Sequence, residues 1–207
     1  MNTWVYIDAF NLYYGALKNT PYRWLDVAGM CRLLLPNHDV QQIKYFSAQV
    51  SARPDDPRKP VRQQVYFRAL RTLPNLEIIL GHFLSHIVRM PLAEPAPQGL
   101  RFARVIKTEE KGSDVNLATH LPNDAHLGRY EVAVVVSADS DLLEPIRIVT
   151  GQLRKPIGIL NPQPRPSKVL CAHATFVKQI RAGVLAASRF PPTLTDEHGT
   201  FKKPEEW

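Results

Sequence analysis

Residues 132–136, VAVVV, are an unbroken apolar run that leads into the polar string Ser137-Ala138-Asp139-Ser140-Asp141. A run this short and this rich in β-branched side chains predicts a strand buried on both faces, as in a parallel sheet covered by helices on either side. Around it, short apolar runs alternate with helix-compatible stretches. TWVYID at 3–8 predicts a strand feeding a helix in NLYYGALKN, and 26–35 a helix capped by Asp26 and stopped by Pro36. QIKYFSAQV at 42–50 and LEIIL at 76–80 predict strands on either side of a basic helix from Pro60 to about Leu73. HFLSHIVR and LRFARVIK, separated by the Pro-rich PLAEPAPQG, predict a β-hairpin-like excursion near 80–107. Ser113 or Asp114 opens a helix that Pro122 must interrupt or kink. A helix over 142–150, a strand PIGIL at 156–160 and a helical region over 168–187 follow. Strands alternating with helices give an α/β class, a doubly wound and mainly parallel sheet flanked by helices. The domain spans 1–187, and the polar, Pro-containing stretch 188–207 reads as a flexible tail.

The 207 residues suffice for one well-buried core, and 44% hydrophobic with 22% charged residues excludes a disordered or fibrous chain. A formal charge of +7 leans towards polyanions such as nucleic acid, although basic proteins that touch none are common. No apolar run approaches the ~20 residues that span a bilayer, and the opening MNTWVYIDAF lacks the build of a signal peptide, so the expectation is no membrane and a cytoplasmic location. Cys31 and Cys171 are far apart with no CxxC partner, which suits reduced buried thiols rather than a disulfide or zinc site.

In a doubly wound sheet, ligands collect outside the carboxyl ends of the strands. Asp8 ends the first strand, Asp139 and Asp141 follow the strand at 132–136, and Asp114 opens the helix behind Gly112. Four acids from three separated segments therefore reach one edge. Carboxylates held close repel one another, and a hard divalent cation, Mg2+ or Mn2+, is the ordinary remedy. Taken singly, Asp114 and Asp141 also read as helix caps, and Asp141 with Glu144 spells a capping box. Asp8, after a mostly apolar run, is harder to assign to a local role, because a partly buried acid needs a partner.

Three blocks carry a resemblance. VYIDAFNLYYG at 5–15, EEKGSDVNLATHL at 109–121 and VVVSADSDLLEPI at 134–146 resemble, in order and with similar intervals, the blocks of the NYN domain family, a LabA-like branch of the PIN-like nuclease superfamily. The likeness spans roughly 3–160. It implies a PIN-like Rossmannoid sheet and a divalent-metal ribonuclease in which Asp8, Asp114, Asp139 and Asp141 are the metal-binding and catalytic acids, with Asn11 and Ser137 as supporting polar groups. Many members of that family carry an acid near the position of His120; here a neutral imidazole stands there, as ligand, proton carrier or simple packing. Lys111 either neutralises a phosphate or holds a carboxylate.

Arg53, Arg58, Lys59, Arg62, Arg68 and Arg71 form a basic stretch that reads equally as a solvated helix face and as a contact to the RNA backbone. Phe10, Tyr13 and Tyr14, beside the first acid, suit core packing or stacking on unpaired bases. His82 and His86, if on a strand, stand about 13 Å apart and cannot share one zinc. No Gly-rich phosphate loop is present. The leading expectation is endonucleolytic cleavage of RNA, probed first as single strands, by metal-activated water. Its rivals are a nucleic-acid-binding or assembly protein without turnover, as a monomer or a homo-oligomer, and a haloacid-dehalogenase-type phosphohydrolase. The last lacks the second acid two residues after Asp8, where Phe10 stands.

Overall fold

The computed structural model describes residues 1–52, 54–94, 99 and 101–207. Arg53 and part of the Pro-rich break at 91–99 lie outside them. The strands are β1 (Asn2–Asp8), β2 (Asp39–Ala48), β3 (Leu76–Pro91), β4 (Phe102–Lys111), β5 (Val132–Val136), β6 (Ile157–Asn161), β7 (Phe176–Gln179), β8 (Thr193–Asp196) and β9 (Gly199–Lys202). The helices are α1 (Ala9–Leu12, extended by a π-helical turn over Tyr13–Leu17), α2 (Val27–Leu34), α3 (Lys59–Arg71), α4 (Ser113–His126), α5 (Leu143–Arg147, extended by a π-helical turn over Ile148–Gln152), α6 (Lys168–Cys171) and α7 (Ala182–Ala187).

Strands β1 to β7 form one sheet in the order β4-β3-β2-β1-β5-β6-β7, parallel throughout except for the antiparallel pair β3/β4. The chain winds outward from β1 through β2 to β3 and β4, then returns to β5 on the other side of β1. The switch point thus lies between β1 and β5, which run side by side from Thr3↔Val132 to Ile7↔Val136. Both strands are central, and β5 is buried at all five positions, as its apolar run requires. Two cores cover the sheet. Val5, Ile7, Val134 and Val136 face one with α2 and α3, while Tyr6, Ala133 and Val135 face the other with α4 and α5.

Several local expectations change. α4 continues through Pro122 to His126, because Leu117, Leu121 and Ala125 bury its inner face against the sheet and override the local penalty of the ring. The region 168–187 is not one helix: Phe176–Gln179 is an edge strand, paired from Gly158↔Phe176 to Asn161↔Gln179, with two short helices around it. Residues 188–207 are not a bare tail. They form the β8/β9 hairpin, fastened to α3 by Arg68, which donates to both carboxylate oxygens of Asp196 and lies over the Phe201 ring. The excursion near 80–107 is a ribbon: β3 runs on past the end of β2, which pairs only as far as Ala48↔Gly81, and β4 accompanies it from Pro91↔Phe102 back to His82↔Lys111.

Two glycines set the geometry where this ribbon meets α4. A Cβ on Gly81 would collide with the Lys111 carbonyl, so the close crossing of the two backbones excludes any side chain there. Gly112, at φ 101°, takes the left-handed turn that ends β4 and starts α4.

Candidate functional site

Asp8 is the last residue of β1 and caps α1. Its Oδ1 accepts the Asn11 backbone N–H at 2.9 Å and its Oδ2 accepts the Ser137 hydroxyl at 2.9 Å. Only 5% of the residue is exposed. Burial pushes its carboxyl up to about 6; the Asn11 and Ser137 hydrogen bonds oppose that rise, and the charges of Asp114 and Asp139 add to it. Asp114 lies in the first turn of α4, which carries no side-chain cap: Gly112 is the N-cap, and the Ser113 N–H is taken by Glu110 Oε1 at 3.0 Å. Its carboxyl is also raised, by burial and then by the charges of Asp139, Glu110 and Asp141. Asp139 caps the 3-10 turn Ser140–Leu142, with Oδ1 accepting the Asp141 N–H at 3.0 Å, so Asp139 does the capping and Asp141 does not.

A polar lattice knits these strand ends together. Ser137 Oγ donates to Asp8 and accepts the Asp139 N–H at 3.0 Å, and Asn11 Oδ1 accepts the Ala138 N–H at 3.1 Å. Asn11 and Ser137 thus bind the C-terminal ends of β1 and β5 to each other. Asp8 feels the charges of Asp114 and Asp139, and Asp114 those of Asp139, Glu110 and Asp141. Among the described residues none of the four aspartates enters an ion pair. Lys111 instead pairs with Glu109 at 3.5 Å. Also among the described residues, no three of His, Cys, Asp and Glu stand close enough, as the side chains lie, to hold one ion.

His120 is not among these acids. Its Nδ1 lies 3.0 Å from Lys44 Nζ, and its ring meets Phe46 edge to face. Burial, then Lys44, hold its imidazole below the ordinary value. Lys44 is itself buried and donates to Asp124 Oδ2 at 2.6 Å, an atom that also accepts the Tyr6 hydroxyl at 2.9 Å, while Arg129 reaches Asp124 Oδ1 at 2.9 Å. Sequence reading passed over this network. Its one visible sign was a lysine in the middle of the apolar strand QIKYFSA.

The basic stretch is largely engaged. Arg62 pairs with Asp56 and with Glu206, Arg58 with Glu206 at 3.6 Å, and Arg68 with Asp196. Arg62 and Arg68 thereby anchor the C-terminal hairpin region, and Lys59 opens α3. His82 and His86 share one exposed face of the ribbon, four residues apart on a strand. Cys31 and Cys171 are free. Phe10, Tyr13 and Tyr45 line a cavity beside Asp8; Tyr45 also belongs to the core, Tyr13 packs against it, and Tyr14 is half exposed. Burial, then the Asp8 charge, raise the Tyr45 phenol, which places that ring next to Asp8. No helix among the described residues is long and apolar enough to cross a membrane.

No family model matches the sequence. Along its whole length the chain is 29% identical to 6-hydroxy-3-succinoylpyridine 3-monooxygenase HspA of Pseudomonas putida (strain DSM 28022 / S16), of which the alignment covers 75%. Its fold is similar to the crystal structure of a protein of unknown function from Vibrio parahaemolyticus RIMD 2210633, with a TM-score of 0.57 and 18% identity over 87% of this chain and 93% of that one. The chain is thus similar to one enzyme along its full length, and it shares its α/β architecture with a solved structure that names no activity.

Proposed function

We propose that the chain is a divalent-metal-dependent ribonuclease that hydrolyses RNA phosphodiester bonds at the carboxyl edge of β1 and β5. One observation carries this reading. Asp8, Asp114 and Asp139 arrive from three separate segments at the switch point of a parallel sheet; the charges of Asp114 and Asp139 add to the rise of the Asp8 carboxyl, that of Asp139 adds to the rise of Asp114, and among the described residues none of the three pairs with a lysine or arginine. By its chemistry an all-oxygen set of carboxylates suits a hard divalent cation, Mg2+ or Mn2+, which would have to draw the side chains closer together than they lie. Asp8, Asp114, Asp139 and Asp141 are the residues that would hold it. When bound, such an ion acidifies a water and neutralises charge on the phosphoryl oxygens. Ser137 and Asn11 hold Asp8 and the Asp139 turn in register, and Asp8, buried and fixed by two hydrogen bonds, keeps one rotamer. The test is cleavage of single-stranded RNA by the purified protein with Mg2+ or Mn2+. EDTA and Asp114→Asn are each expected to abolish it, and cleavage that survives both overturns the reading.

The full-length likeness to a monooxygenase favours a second reading, insertion of one oxygen atom of O2 into a hydroxypyridine ring at the expense of an external reductant. Oxygen uptake with 6-hydroxy-3-succinoylpyridine and NADH, in a preparation that leaves RNA intact, would select it over hydrolysis.

A further inference from the structure

Beside Asp8, on the β2 side of β1, lies a cavity of about 160 Å³. Drug-sized sites run to ~300–1,000 Å³, so this one suits a single ring. Its wall follows directly from the site: Ala9 and Phe10 come immediately after Asp8, and Tyr45 and Ser47 lie near the end of β2, where Asp8 is registered with Phe46. Tyr13 and Tyr66 continue the wall, and Trp207 closes it from the C-terminal region, its ring 5.5 Å from that of Tyr66 and 6.4 Å from that of Trp24. Tyr66 meets both Tyr45 and Trp207 edge to face, so no stack of the protein's own rings fills the space. Such aromatic walls favour a flat π-system.

The wall is also basic. Arg23, Lys59 and Arg62 line it against the single acid Asp56. Arg62 is committed to Asp56 and Glu206. Arg23 donates through Nη2 to the Glu206 carbonyl at 2.6 Å, but its Nε–H is buried and has no acceptor among the described residues. A buried guanidinium donor without a partner is costly, and an anionic acceptor satisfies it best. We propose that this cavity binds a planar, single-ring heteroaromatic compound bearing an anionic group, with the ring among Phe10, Tyr13, Tyr45 and Tyr66 and the anion at Arg23. Two sources share this chemistry, a pyrimidine nucleotide and a hydroxypyridine carboxylate. The nearness of Asp8 makes the occupant a part of the substrate in either reading of the site. Binding itself requires neither metal nor turnover, so its failure and a failure of hydrolysis are told apart.

The experiment titrates the full chain in EDTA with uridine 5′-monophosphate, uridine, 6-hydroxynicotinate and 2-hydroxypyridine, read by tryptophan fluorescence and by the NMR signal of Arg23 Nε–H. At least one anionic probe is expected to bind saturably, about tenfold or more tighter than its neutral partner. Arg23→Gln should erase that preference, Arg23→Lys should retain part of it, and Tyr13→Ala should weaken charged and neutral rings alike. The tighter anionic probe identifies the source. Absence of saturable binding by all four, or an anion preference that survives Arg23→Gln, overturns the proposal. So does binding that leaves the Arg23 signal unmoved.

Discussion

Ser137, the residue just after the neighbouring parallel strand β5, donates a hydroxyl hydrogen bond to Asp8 Oδ2 at 2.9 Å. Ser137 Oγ in turn accepts the Asp139 N–H, so one small side chain holds two of the site's acids in relation to each other. Ser137→Ala removes a bond that favours the ionised form of Asp8. The Asp8 carboxyl is then expected to titrate above its present value of about 6, seen by carbon-detected NMR. Mn2+ affinity should fall about 10- to 100-fold, the usual effect of losing a group that orients a ligand. An unchanged Asp8 titration would show that the contact does not operate in solution.

Asp8 also makes stability depend on pH with a definite sign. Its carboxyl rises from 3.8 to about 6 on folding, so within that window the folded chain binds more protons than the unfolded one. The Asp8 contribution to stability is most favourable below the lower value, declines as pH rises, and above the upper value is a full cost on the order of 3 kcal/mol. Without metal, Asp8→Asn should therefore stabilise the protein at pH 7.5 and have little effect at pH 3.5. Denaturant titrations in EDTA at the two pH values test this, and equal effects at both would refute it.

The buried pair Lys44–Asp124 predicts a different loss. With side chains 3% and 0% exposed, removal of Lys44 leaves the buried Asp124 charge to Arg129, whose own side chain is 47% exposed and compensates it only in part. Lys44→Met should cost about 3–5 kcal/mol in urea unfolding. Adding Asp124→Leu to that variant should cost much less than the single substitutions sum to, since the two act as one unit. Strict additivity would mean that the pair is not coupled.

His120 belongs to that pair's surroundings and not to the acids. His120→Ala is accordingly expected to leave Mn2+ affinity within about twofold of the parent while lowering thermal stability. A tenfold loss of metal affinity would return the imidazole to the site.

How much of this could be read in advance varied with the locality of the signal. The run Val132–Val136, the Asp26 cap and the strand-end acids are local patterns, and each lies where its pattern puts it. Phe176–Gln179 offered no such pattern: two of its four residues are exposed, and its strand character comes from the partner β6. The C-terminal hairpin likewise depends on Arg68, more than a hundred residues earlier. The same limit hid the Lys44–Asp124 pair, whose members are 80 residues apart, and the cavity, whose wall is assembled from four distant stretches of chain.

The ribbon of β3 and β4 behaves as a cantilever. Its ten cross-strand pairs reach roughly 30 Å beyond the last support from β2, and its clamped end is Gly81 against Lys111. Glu110, in that clamp, also holds the Ser113 N–H, one residue before Asp114. The base of the ribbon and the first turn of α4, which carries Asp114, are therefore fastened at one and the same point.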